Sequence, residues 1–83
     1  MSLIRIEEFA RADGSVEIKV DGVLNSKSLR LLDKVYRLYL DKETDIVLNL
    51  DGMIHITREG RNYLMEIKNN VSFTEYPCFL KYS

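Results

Sequence analysis

The stretch DIVLNLDGMIHITREGRNYL, residues 45–64, carries more information about the fold than any other part of the chain. Its apolar run Ile46-Val47-Leu48-Asn49-Leu50 reads as a buried strand. A short connector then ends at Thr57, and Arg58-Glu59-Gly60 opens a helix whose apolar positions recur at Gly60, Leu64, Ile67 and Val71. A strand feeding a helix N-terminus gathers unpaired backbone N–H groups and the positive end of the helix dipole at one exposed tip. Small α/β domains commonly carry their function at such tips.

The segments on either side extend the pattern. Residues 4–9 alternate weakly and read as a first strand, and Ala12-Asp13-Gly14-Ser15 is a turn signal. Val16, Ile18 and Val20 alternate with Glu17, Lys19 and Asp21, which predicts a strand with one buried and one wet face, paired with the first as a hairpin. Asp21-Gly22 is expected to break that strand, and Asn25 or Ser26 to cap the helix that follows. In that helix Leu29, Leu32, Val35, Tyr36, Tyr39 and Leu40 form an apolar stripe, widened by Leu31 and Leu38. Asp41-Lys42-Glu43-Thr44 connects it to the central strand. The second helix is predicted from about Arg58 to Asn70, and a last strand from Phe73 to Tyr82. Pro77 has no N–H to donate, so its part of the last strand belongs at an edge. The expected fold class is α/β: a small mixed sheet of about four strands, two helices packed on one face, in the order β-β-α-β-α-β.

Length and composition bound the possibilities. The 83 residues make a single domain, 1–83, with 46% hydrophobic and 30% charged residues, a balance that suits a globular protein and not a disordered one. A formal net charge of -1, with both signs interspersed, gives no field to draw in nucleic acid or an anionic membrane. No apolar run approaches the ~20 residues that span a bilayer, so no membrane insertion is expected. The N-terminus lacks the blocks of a signal peptide, and one cysteine excludes an internal disulfide, so a cytoplasmic location is expected.

The ordered motifs resemble the STAS domain, found in bacterial anti-sigma factor antagonists and in the cytoplasmic tails of sulfate transporters. Val20-Asp21-Gly22-Val23-Leu24-Asn25 is similar to the strand and "G-x-L-(N/D)" approach to the family's first helix. Asp45-Ile-Val-Leu-Asn-Leu-Asp-Gly-Met53 is similar to its central strand and loop. Ile56-Thr-Arg-Glu-Gly-Arg-Asn-Tyr-Leu64 aligns with its "hydrophobic-D-S-S-G-x-x-x-L" turn and helix. In anti-sigma factor antagonists the serine before the glycine is phosphorylated by a partner kinase that also serves as the anti-sigma factor. Here Thr57, Arg58 and Glu59 replace the Asp-Ser-Ser, and only Gly60 remains, so a serine switch at that site is excluded. The family's last helix is expected to be absent, which would expose apolar surface and favour a homo-oligomer.

The resemblance implies a regulatory, non-catalytic module of the bacterial cytoplasm that binds a protein partner. Its partner-binding residues would be Thr57, Arg58, Glu59, Gly60 and Arg61. The partner would be an anti-sigma kinase-like protein. The alternative is the ATPase of a lipid-transporting ABC system, on which some short STAS proteins dock as accessory subunits. An acidic Glu59 in a first helical turn is stabilised by the dipole by ~0.3–1 kcal/mol, a reading we favour over partial mimicry of phosphoserine. Thr57 is expected to be the N-cap, with its phosphorylation a weaker reading. Gly60 inside a helix costs ~1 kcal/mol against alanine, which asks for close packing against a strand, or secondarily for a partner's access.

An enzyme is a third and less favoured class, and nucleic-acid binding is weaker still. His55, the one histidine, reads as a surface or hydrogen-bonded residue, and Cys78 as a small buried hydrophobe. No metal-ligand spacing, glycine-rich phosphate loop or nucleophile–base pair is present, so neither cofactor nor metal is expected. Arg58 and Arg61 read as solvated helix-face cations that could meet an acidic partner. Tyr36, Tyr39 and Tyr63 read as core or boundary packing in preference to a platform for bases.

Overall fold

Alternation in the first two segments and a near-continuous apolar run in the third build one mixed sheet. The structure is a computed structural model that describes residues 4–75. Its strands are β1 (Ile4–Ala10), β2 (Val16–Leu24), β3 (Ile46–Asn49), β4 (Met53–Ile56) and β5 (Val71–Glu75). Its helices are α1 (Leu29–Asp41) and α2 (Arg58–Ile67), the latter prolonged by a 3-10 turn over Lys68–Asn70. The order is β-β-α-β-β-α-β, the expected α/β architecture with one strand more. The expectations for Pro77 and Cys78, and for the last strand beyond Glu75, lie outside the described residues.

β1 and β2 form the antiparallel hairpin, from Ile4 opposite Gly22 to Ala10 opposite Val16. β3 runs parallel to the first half of β2, with Val16 beside Ile46 and Ile18 beside Leu48, and β5 runs parallel to β3. β4 runs parallel to the last residues of β2, so β3 and β4 follow one another along a single long strand. The turn between them closes with Met53 N–H donating to Leu50 O at 3.1 Å, and Asp51 N–H donates to Asn49 Oδ1 at 3.0 Å. Leu50, expected as the end of the strand, lies in this turn and is fully buried.

Three sequence expectations are corrected. The connector before Thr57 contains β4, which shows no alternation because its ladder is irregular. His55, not Ile54, follows Met53 in the pairing with β2. Asp21-Gly22 does not end β2. Gly22 takes φ 101, a backbone conformation other residues strongly resist, and the strand continues past an irregular step to Leu24. Val71 opens β5 and is not part of the helical stripe.

The core lies on the face that both helices cover. Val16, Ile18, Val20, Ile46 and Leu48 point into it from the sheet, Leu32 and Tyr36 from α1, and Leu64 and Ile67 from α2. Leu40, expected in the stripe, and Leu31 and Leu38, expected to widen it, are all exposed, so the buried stripe is narrower than the sequence suggests. The helices meet where the Tyr36 and Tyr63 rings pack edge to face, 6.5 Å between centroids. Tyr63 Oη donates to Asp33 Oδ1 at 3.1 Å, while Arg37 Nε donates to Asp33 Oδ2 at 2.8 Å. Burial, and then the Asp33 carboxylate, push the Tyr63 phenol well above the usual tyrosine range.

Both ends of α1 are closed by local hydrogen bonds. Asn25 Oδ1 accepts from the N–H groups of Lys27 and Ser28, and Ser28 Oγ accepts in return from Asn25 N–H. This reciprocal pair has the pattern of a capping box but lies in the turn before α1; the N-cap position itself is Ser28, which makes no side-chain cap bond, so neither Asn25 nor Ser26 occupies the expected cap position. At the other end Glu43 N–H donates to Leu40 O and Thr44 N–H to Tyr39 O, both at 3.0 Å, the Schellman pattern. That pattern places Glu43 at φ 57, where a side chain is disfavoured. Glu43→Gly is expected to raise the unfolding free energy by about 0.5–1 kcal/mol, read as a higher midpoint in urea with an unchanged slope.

Candidate functional site

The candidate site is built where the end of β2, the end of β4 and the start of α2 converge. Leu24 O accepts from Thr57 N–H at 2.9 Å and from the Thr57 hydroxyl at 3.3 Å. Thr57 Oγ1 in turn accepts from Gly60 N–H at 3.3 Å, and Thr57 O accepts from Arg61 N–H at 2.9 Å. Thr57 is therefore the N-cap of α2, in extended backbone geometry, and it welds the helix to the core strand beside it.

Gly60 follows from that weld. A Cβ at this position would lie 2.6 Å from Leu24 O, 3.0 Å from Leu24 Cγ and 3.1 Å from Ile56 Cγ1. The helix start is pressed so closely onto the sheet that no side chain fits. Close packing accounts for this glycine; it is buried, so its α-carbon is not offered to a partner.

The remaining residues divide by exposure. Arg58 and Glu59 are both exposed on the first turn of α2, with Glu59 at the positive end of the helix dipole. Neither makes an ion pair or a side-chain hydrogen bond among the described residues. Arg61 is half-buried, with Ile54, His55 and Ile56 around a hollow of about 230 Å³. Its Nε is buried without a hydrogen-bond partner among the described residues. His55 is exposed on β4.

The structure thus gathers Thr57, Arg58, Glu59, Gly60 and Arg61 at one tip, with unequal tasks. Thr57 and Gly60 hold the backbone, Arg58 and Glu59 face solvent, and Arg61 lines the hollow. Sequence reasoning missed Ile54, the most exposed large apolar side chain among the described residues at 80%. Its signal was present in Met-Ile-His-Ile after an Asp-Gly turn, a short strand whose irregular ladder turns one isoleucine out.

Other regions offer less chemistry. Among the described residues no three His, Asp or Glu side chains converge as metal ligands would. A hollow of about 430 Å³ lies at the opposite end of β3 and β5, beside Asp13 and Ser15. There the Asp13 carboxylate accepts from the Ser15 hydroxyl at 2.6 Å and the Ser15 N–H at 3.0 Å, which holds it below the usual carboxylate range. Tyr36 and Tyr63 are buried and Tyr39 is half-buried, as core or boundary packing requires. No helix of the described residues is long and apolar enough to cross a membrane.

Compared with protein-family models, the chain matches none, and no curated protein matches it.

Gly60→Ala is expected to destabilise the fold by about 1–3 kcal/mol although alanine is the better helix former, because the methyl must displace the Leu24 carbonyl. Thermal unfolding of the two proteins checks it; an unchanged or raised midpoint would mean that α2 is not seated as described.

Proposed function

We propose that this protein is a non-catalytic recognition module of the STAS type that binds a protein partner through the 53–64 tip. The single observation that carries the reading is the split of labour at Thr57, Arg58, Glu59, Gly60 and Arg61. The backbone is fixed to the core by Leu24 O, while a cation and an anion stand side by side in solvent without partners among the described residues. A rigid frame that presents unpaired charges next to an exposed isoleucine suits recognition, because little conformational freedom remains to be lost on binding. The order and spacing of the motifs support the STAS reading, and the parallel β2-α1-β3 unit with α2 capped beside it accords with it.

The partner is a kinase-type anti-sigma factor or a signalling assembly built around one. With Glu59 in place of the phosphorylated serine, the module does not switch by phosphorylation there. It serves as a constitutive partner, a decoy or a scaffold. A single carboxylate supplies part of the charge that a phosphoserine carries.

The reading is tested by capture from a lysate of the source organism, with wild type beside Glu59→Lys. Glu59 is exposed and its place in the first turn of α2 contributes only ~0.3–1 kcal/mol, so the variant is expected to remain folded with a modestly lower melting temperature and to lose at least tenfold in partner affinity. Recovery of an anti-sigma kinase by wild type alone supports the proposal. Equal recovery by a folded Glu59→Lys variant moves the interface away from the tip.

A further inference from the structure

Arg61 holds a buried cationic nitrogen with nothing to accept from it among the described residues. Its Nε is withdrawn from water and has no hydrogen-bond partner there, while its terminal nitrogens are not buried. No ion pair among the described residues includes it. An arginine in a protein does not shed its charge, so the missing acceptor cannot be offset by deprotonation. Burial of the Nε side fixes the plane of the guanidinium and leaves its outer edge open.

The surroundings are apolar. The hollow of about 230 Å³ beside Arg61 is lined by Ile54, His55 and Ile56. At roughly 30 Å³ per liquid water it holds several waters, which is the scale of a side chain. Ile54 is 80% exposed at its rim, and Met65, one turn beyond Arg61 on α2, is 43% exposed. The spacing of α2 divides its charges between two flanks. Arg58, Arg61 and Met65 recur at helical intervals on one flank, and Glu59 and Glu66 fall on the other. The flank beside the hollow is thus cationic and apolar, with the helix's own carboxylates turned away from it.

This combination selects its ligand. A guanidinium edge bonds a carboxylate through two parallel N–H donors. A free inorganic anion would satisfy the charge and leave Ile54 and Met65 in water. A purely apolar segment would cover Ile54 and Met65 and bury the guanidinium unpaired, which is costly. A segment with an acidic side chain beside a large apolar one satisfies both.

We propose that the hollow at Arg61 receives an acidic, apolar segment of the protein partner, its carboxylate on the Arg61 guanidinium and its apolar side chain against Ile54. The inference rests on the reading of the 53–64 tip as a protein-binding surface, and it names the chemistry of what binds there.

The test is selection of random short peptides displayed on phage by the full chain, followed by titration of the most enriched peptide. Enriched peptides are expected to carry Asp or Glu within one helical turn of Leu, Ile, Met or Phe. The Arg61 Nε–H resonance is expected to shift on titration, and a peptide with its acids changed to Gln or Asn is expected to bind about tenfold more weakly. Arg61→Met is expected to lose about tenfold in affinity while melting no lower than wild type, because it removes an unpaired buried donor and keeps the apolar stem. Ile54→Ser, at an exposed position, is expected to weaken binding with the fold intact. The proposal is overturned by selection of no peptide, by enrichment of peptides without carboxylates, or by an Arg61→Met variant that binds like wild type. An Arg61→Met variant that melts well below wild type would also overturn it, since Arg61 would then serve the fold. A lysate partner that requires Glu59 and not Arg61 leaves the tip reading standing and overturns this inference alone.

Discussion

The carbonyl of Leu24 joins the two halves of this molecule. It is the last acceptor of the longest strand, and it takes both the N–H and the hydroxyl of Thr57, thirty-three residues away in sequence. A buried carbonyl with such partners satisfies one strand end and one helix start together. Everything downstream depends on that junction. Gly60 must lack a side chain because the carbonyl is there, Arg61 is placed by its N–H on Thr57 O, and α2 is directed back across the sheet.

The same economy marks the rest of the fold. β2 pairs with three other strands, serving β1 on one side and β3 followed by β4 on the other. The positive φ of Gly22 lets this strand change register without ending, and so lets β4 and α2 take their places. Between the helices, Asp33 accepts from both Tyr63 and Arg37, so the pair is tied by side chains at the surface of a core that is otherwise apolar. For the proposed recognition role the consequence is a stiff tip. A stiff presenting surface loses less freedom on binding than a mobile loop, which favours specificity for one shape of partner.

The sequence was most legible where periodicity and chemistry agreed. The alternation from Val16 to Val20, the apolar run at Ile46–Asn49 and the Thr57 cap each carry a direct physical signature, and each is where the pattern places it. The need for space at Gly60 was legible from the cost of a glycine in a helix, although the atom that requires it, Leu24 O, was not. What escaped were features set by long-range pairing. β4 reads as a connector because an irregular ladder breaks the alternation that announces a strand. Gly22 reads as a terminator because local sequence cannot distinguish a bulge from an end. Leu31 and Leu38 read as core because periodicity marks an apolar stripe without saying how wide a stripe one sheet can cover.

The measurement that bears most directly on the central claim is native-state hydrogen exchange at the amides of Thr57 and Gly60. If the Leu24 carbonyl fixes the tip to the core, Thr57 N–H exchanges as slowly as the amides of β2, and Gly60 N–H is protected beyond the neighbouring Arg58 and Glu59. Exchange of Thr57 at the rate of the exposed first-turn amides would contradict the account, because the tip would then open independently of the strand that is held to support it.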